Sequence, residues 1–172
     1  LMDKIPESIN QVLSQDREKV SKGNETTAVF YSISNCQKGL KGISFGNFLI
    51  KQVANAIRTD YPNIKDFVTL SPVPGFMDWL ELNNNELFKS IDNGQFINET
   101  DEYKDDILKN SLDYFFNSER SDKLPNDSVA RFHLGNGAYL HRINFLGDQS
   151  KKALNSAAGL MVNYKYDLDK IE

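Results

Sequence analysis

Apolar residues first recur at helical spacing near the start of the chain, where Ile9, Val12 and Leu13 predict a short helix within "PESINQVLSQDREKV". The period then changes. "TAVFYSIS" is rich in β-branched and aromatic residues and predicts a strand. A loop carrying Gly39, Gly42 and Gly46 follows it. Helical spacing returns from Phe48, with Leu49, Val53 and Ile57 as the predicted inner face, Ile50 and Ala54 beside it, and Pro62 as its bound. "DFVTLS" predicts a second short strand, closed by "PVPG". Strand, loop, helix and strand in that order favour a right-handed parallel crossover.

Further along, "GFMDWLEL" predicts a short helix with Phe76, Met77 and Trp79 in the core. Residues 83–124 are polar and Asn-rich, with one helical pattern in Ile107, Leu108, Leu112, Phe115 and Phe116, and read as a helical insertion on the sheet. "DSVARFHLGNG" predicts a helix capped by Asp127 or Ser128 and ended by Gly135 or Gly137. "AYLHRINFL" and "LMVNYKYDL" predict late strands. The class is therefore mixed α/β, and 172 residues make about one domain.

Charge narrows the choice of partners. Twenty basic against twenty-four acidic residues leave a net charge of -4, which argues against a general nucleic-acid binder. An anionic ligand must then be met by a local arrangement rather than by the field of the whole molecule. No apolar run approaches the ~18 residues of a membrane span. One cysteine, Cys36, excludes an internal disulfide framework, and with two histidines beside it a His/Cys metal cluster is not indicated.

The glycine loop carries candidate chemistry. The first N–H groups of a helix lack partners, and with the macrodipole they form an anion site. Glycines let the main chain approach a phosphate, and Lys38 and Lys41 add local charge. The spacing matches neither the nucleoside-triphosphate loop nor the dinucleotide fingerprint, so another pyrophosphate fits better. An ordinary strand-to-helix turn is the plainer reading of the same glycines.

Ser71 closes a predicted strand before Pro72, and no nucleophile elbow surrounds it. His133 lies late in a predicted helix, where the helix C-terminus favours the protonated imidazole. Its ordinary pKa near 6.5 suits proton transfer. A turn serine and a packed histidine are the bland alternatives, with His141 as the comparison.

Taken together, "FYSISNCQKGLKGISFGNFLIKQV", "TLSPVPGF", "VARFHLGNGAYLHRINFL" and "GLMVNYKYDLDKIE" resemble malonyl-CoA decarboxylase, over residues 28–80 and 128–172. The resemblance implies an acyl-CoA N-acetyltransferase-like fold, a mixed sheet flanked by helices. It implies that Lys41, Gly42, Ile43, Ser44, Phe45, Gly46 and Asn47 line malonyl-CoA, the glycines making room for its diphosphate. Some relatives carry glutamate where Ser44 stands. The same likeness puts the catalytic pair on Ser71, as proton acceptor and carboxylate-orienting hydroxyl, and on His133, as proton donor. Tyr166 is implied to face the same pocket, although strands favour aromatics on general grounds. Asn136 and Arg142 match family motifs as cap and supporting residues.

Decarboxylation of a malonyl thioester needs neither metal nor prosthetic group, because the thioester accepts the electrons. Coenzyme A enters as part of the substrate, and no separate cofactor is expected. An acyl-CoA-dependent acyltransferase and a non-catalytic member of the family are the alternative readings. Family members carry an N-terminal helical domain, through which homo-oligomers would form, and further strands ahead of "AVFYSIS". Without them the chain reads as a partial catalytic domain over 1–172, with the first sheet edge expected to be open. Relatives occur in mitochondria, peroxisomes and cytosol, and "DKIE" is not a peroxisomal Ser-Lys-Leu end.

Overall fold

The computed structural model describes residues 1–17, 19–31, 45–91, 96–97, 100–117 and 120–168. α1 (Ile9–Leu13) is a single short helix whose Ser8 and Gln11 close a capping box. β1 (Thr27–Phe30) and β2 (Asp66–Thr69) run parallel, Thr27 beside Asp66 and Phe30 beside Thr69, with α2 (Phe45–Asp60) crossing between them. β3 (Ser71–Pro72) continues beyond β2, and α3 (Phe76–Asn83), α4 (Asn85–Ile91), α5 (Thr100–Phe116) and α6 (Ser128–Gly135) follow. A hairpin-like pair, β4 (Ala138–Asn144) and β5 (Met161–Tyr166), encloses α7 (Lys151–Ala157).

β5 is the centre of the sheet. It runs antiparallel to β2 and β3 along one edge and to β4 along the other. Strands covered on both faces read as continuous apolar runs rather than alternating ones. β2 shows this in Phe67 and Val68, both buried. One face packs under α2, α3 and α5 through Ala28, Ile50, Ala54, Phe67, Phe76 and Ile107. The opposite face is closed by α1 through Val12 against Leu70 and Met161. The helices of 83–124 pack on α3, and Leu87, Ile91, Phe96, Ile107 and Phe115 join the same core.

Several expectations change. α2 begins at Phe45, not Phe48, and its inner face is Ile50, Ala54 and the half-buried Ile57. Leu49 and Val53, expected inside, are 50% and 38% exposed. Both sets have helical spacing, so the period alone could not choose between them. The small Ala54, fully buried, lets the helix axis approach the sheet. In α5 Leu112 and Phe116 likewise face out, while Ile107, Ser111, Tyr114 and Phe115 are buried. α7 was not anticipated; its Ser150 cap, which accepts from Ala153 N at 3.3 Å, and the positive φ of Gly159 were its local signals. The edge of β1 expected to be open is met by Met2, whose N–H donates to Thr27 O at 2.9 Å and whose carbonyl accepts from Thr27 N at 2.9 Å. Among the described residues no helix is long and apolar enough to cross a membrane.

The two sides of α2 should respond differently to truncation. Ile50→Ala is expected to lower unfolding stability by about 2–4 kcal/mol, and Leu49→Ala by under about 1 kcal/mol. Urea denaturation of both variants checks this; equal losses would mean the inner face is assigned wrongly.

Candidate active site

β2 ends at Thr69 and β3 begins at Ser71, so Ser71 sits where the central strand pairing is interrupted. Pro72 and Pro74 then force the chain out of the sheet, and Gly75, at φ 97°, turns it into α3. A Cβ at Gly75 would come within 3.4 Å of the Tyr114 hydroxyl. That hydroxyl lies 3.3 Å from Pro74 O and 3.3 Å from Asp127 Oδ2. Asp127 is fully buried and caps α6 by accepting from Ala130 N at 2.7 Å. Tyr114 therefore ties the turn after Ser71 to the start of the helix that carries His133. Burial raises the Asp127 carboxyl above its ordinary value, against the hydrogen bonds that lower it.

His133 lies in the last turn of α6 and is 4% exposed. Its ring stacks on Tyr164, centroids 4.7 Å apart at 24°, and meets Phe132 and Tyr166 edge-on. Both ring nitrogens are engaged. Nε2 is 3.2 Å from Ser71 Oγ, and Nδ1 is 2.8 Å from the Tyr166 hydroxyl. Ser71 Oγ in turn donates to Thr69 Oγ1 at 2.9 Å, and Thr69 Oγ1 also accepts the Tyr164 N–H at 3.1 Å. Four side chains thus form one line: Tyr166, His133, Ser71, Thr69.

The direction of that line follows from its ends. Ser71 has one proton, and it is committed to Thr69. Ser71 therefore accepts from His133, which places the imidazole proton on Nε2. Nδ1 is then an acceptor for the Tyr166 hydroxyl. Burial holds that phenol above the ordinary tyrosine value, so it remains a donor.

The ordinary pKa near 6.5 expected for His133, with the helix C-terminus favouring its charged form, does not hold in the fold. Burial lowers its pKa from 6.5 to about 4. A helix C-terminus favours a cation by about 0.3–1 kcal/mol, rarely ~2 kcal/mol. The shift opposing it corresponds to on the order of 3 kcal/mol, so desolvation wins. The resting imidazole is neutral.

The remaining assignments divide by position. Ser71, His133 and Tyr166 come together in space. Phe45, Gly46 and Asn47 form the first turn of α2. Lys41, Gly42, Ile43 and Ser44, with Lys38, Gly39 and Cys36, lie outside the described residues. His141, the comparison histidine, is in β4 and exposed. Arg142 and Asn163 belong to an adjoining polar network: Asn163 Oδ1 accepts from Arg142 Nη2 at 3.2 Å and Asn144 Nδ2 at 2.9 Å, and Arg142 also binds Ile5 O, Pro6 O and Glu7. Among the described residues no cluster of three His, Cys, Asp or Glu could hold a metal. Thr69 and Tyr164 were not singled out from the sequence. The available signal for Thr69 was spacing, because residues i and i+2 of a strand share a face. Two hydroxyls at 69 and 71 inside the apolar run "FVTLSPV" are such a pair.

The family model described as the malonyl-CoA decarboxylase C-terminal domain matches residues 1–172. The chain is 36% identical over 200 residues to the mitochondrial malonyl-CoA decarboxylase of Anser anser anser, covering 96% of this chain and 38% of that protein. The crystal structure of malonyl-CoA decarboxylase from Agrobacterium vitis superposes with a TM-score of 0.91 at 46% identity, over 99% of this chain and 46% of that one. GphF, a GNAT-like decarboxylase in complex with isobutyryl-CoA, aligns with a TM-score of 0.54 at 18% identity, over 95% of this chain and 65% of that one, which speaks to fold alone. The acetyltransferase-like architecture is thereby established, and the chain spans less than half the length of the malonyl-CoA decarboxylases it matches.

A neutral buried imidazole has a measurable signature. The folded pKa lies below the unfolded one, so the unfolded chain takes up the proton first as pH falls. Stability is therefore expected to decrease from about pH 6.5 down to about pH 4 and to be indifferent to this group above that window. An NMR titration should place the His133 midpoint near 4; a midpoint at 6 or above would show the ring to be solvated.

Proposed function

The chain belongs to the malonyl-CoA decarboxylase C-terminal domain family, and from that membership we propose that it decarboxylates malonyl-CoA to acetyl-CoA and CO2 in fatty acid metabolism, as a carboxy-lyase. The observation that carries the reading at residue level is the Ser71–His133 contact. Two residues sixty-two positions apart meet at 3.2 Å in a buried site, at the break between two strands. Family membership supports the reaction; the contact supports the pair as the place where it happens.

The reaction moves electrons in one direction. The carbon–carbon bond to the malonyl carboxylate breaks, its electron pair enters the thioester as an enolate, and CO2 leaves. Hydrogen bonds directed at the developing oxyanion contribute about 10²–10³ in rate each where measured. At rest the Ser71 proton is turned to Thr69 and the His133 Nε2–H to Ser71; once substrate enters, either group can turn its proton to the carboxylate or to the enolate oxygen. The α-carbon then takes a proton, a step worth about 10²–10⁴. His133 is the donor. Its neutrality at rest does not prevent this, because an anionic malonyl group beside the ring raises the imidazole pKa by direct Coulomb attraction. Solvent then returns the proton to the ring. Asn136 Nδ2 is buried with no hydrogen-bond partner among the described residues, and Asn136 caps α6 three residues beyond His133, a further donor for the proposed site.

Coenzyme A has a natural anchor at the start of α2. The first-turn N–H groups of a 16-residue helix, at Phe45, Gly46 and Asn47, have no partner within the helix, and its macrodipole is positive at that end. Lys41, Gly42, Ile43 and Ser44 complete that site in the proposed assignment, with Ser44 supplying a hydroxyl where some relatives supply a carboxylate.

Incubation with carboxyl-labelled malonyl-CoA and no acceptor amine is expected to release labelled CO2 and form acetyl-CoA. His133→Asn should lower this rate by at least about 10²-fold and Ser71→Ala by about 10²-fold, with coenzyme A still raising the melting temperature of both variants. Acyl transfer to an added amine without CO2 release would assign an acyltransferase instead, and an active His133→Asn protein would remove the role given to His133.

A further inference from the structure

We propose that Thr69 is a positioning residue of the reacting centre, its side-chain oxygen taking the place of a main-chain carbonyl in the sheet and thereby setting the direction of the hydrogen bonds through Ser71 and His133. The catalytic part of this inference rests on the function proposed above; the part that concerns proton placement does not.

The register shows the substitution. Phe67 faces Tyr166 and Val68 faces Lys165; Ser71 faces Val162 and Pro72 faces Met161. One register runs through both strands, so Thr69 and Leu70 fall opposite Tyr164 and Asn163 without being laddered to them. Leu70 N–H donates to Phe30 O at 3.0 Å, on the β1 side. Main-chain groups alternate sides along a strand, so those of Thr69 point toward β5. In an unbroken antiparallel ladder the Tyr164 N–H would donate to Thr69 O. It donates instead to Thr69 Oγ1 at 3.1 Å, while Thr69 O accepts the side-chain Nδ2 of Asn163 at 2.9 Å. The two strands are held apart by side chains at this one step. All the groups concerned are buried, and each finds a partner.

This arrangement has a chemical consequence. A main-chain N–H fixes one lone pair of Thr69 Oγ1, and the other receives the Ser71 proton. With its proton turned toward Thr69, Ser71 presents a lone pair to His133 and keeps the imidazole as the Nε2–H tautomer. Remove Oγ1, and the Ser71 proton has one acceptor left, His133 Nε2. The ring must then carry its proton on Nδ1, with the Tyr166 oxygen accepting. The same three residues would point their hydrogen bonds the opposite way, and Nε2 would no longer be a donor.

Thr69→Val keeps the shape and removes the oxygen; Thr69→Ser keeps the oxygen. Nitrogen-15 imidazole spectra of the chain above pH 6 are expected to show His133 as Nε2–H in the wild type and in Thr69→Ser, and as Nδ1–H in Thr69→Val. Malonyl-CoA turnover by Thr69→Val should lose at least about tenfold in kcat with KM little changed, and Thr69→Ser should recover it. A wild-type spectrum of the Nδ1–H form overturns the inference without any variant, which covers a Thr69→Val chain that does not fold. So does a folded Thr69→Val protein with the wild-type tautomer. Loss of decarboxylation as the chain's activity would leave the spectra, and hence the placement of the proton, independently decided.

Discussion

The molecule is organised around a neutral imidazole held dry between two hydroxyls. Burial makes the charged form of His133 costly, and the hydroxyls of Tyr166 and Ser71 satisfy both nitrogens of the uncharged one. A buried polar group that loses a partner costs about 1–3 kcal/mol, so this line of contacts is all or nothing. Each member is brought to within 3.2 Å of the next by elements that are distant in sequence and also build the core. That requirement explains features of the fold that packing alone does not.

The interruption between β2 and β3 is one. A continuous strand would satisfy its backbone more simply, yet the pairing is handed to the side chains of Thr69 and Asn163 at a single step. Asn163 is drawn at the same time into a second network with Arg142 and Asn144, which also holds the carbonyls of Ile5 and Pro6. The N-terminal segment, the central strand and the reacting centre therefore share one fully buried residue. On the other side Tyr114 and Asp127 join the exit from Ser71 to the cap of α6. Ser71 and His133 are thus held from both flanks, and the distance between them is a property of the whole core.

In the proposed reaction, groups held in such a site need little reorganisation when charge develops, because packing already fixes their positions. A neutral donor also avoids a standing positive charge in an apolar environment, which would have to be compensated in the resting state. In the proposed reaction the charge that favours protonation arrives as the substrate's carboxylate, passes to the enolate as neutral CO2 leaves, and is discharged when the α-carbon takes a proton. On that proposal the chemistry is switched on by the ligand, in a protein whose net charge of -4 gives no general attraction for anions.

Much of this was legible in the chain. Period-2 and period-3.6 patterns marked β1, β2, β4, β5, α2, α3 and α6, because burial selects apolar residues at those intervals. The motifs around Ser71, His133 and Tyr166 singled out the residues that meet. What the pattern left open was rotation and proximity. Leu49 and Ile50 are both apolar, and only the approach of α2 to the sheet through Ala54 turns one inward and leaves the other half exposed. The place of His133 on the helix, a local property, predicts an ordinary pKa with the charged form favoured. Its neutrality comes from the rings of Tyr164, Phe132 and Tyr166, which surround it from elsewhere as well as from its own helix. Thr69 carries no mark at all beyond its spacing from Ser71. The linear order of residues determines which side chains are available and the elements they form; solvent exclusion, and the direction of each hydrogen bond, exist only once distant segments have closed around the ring.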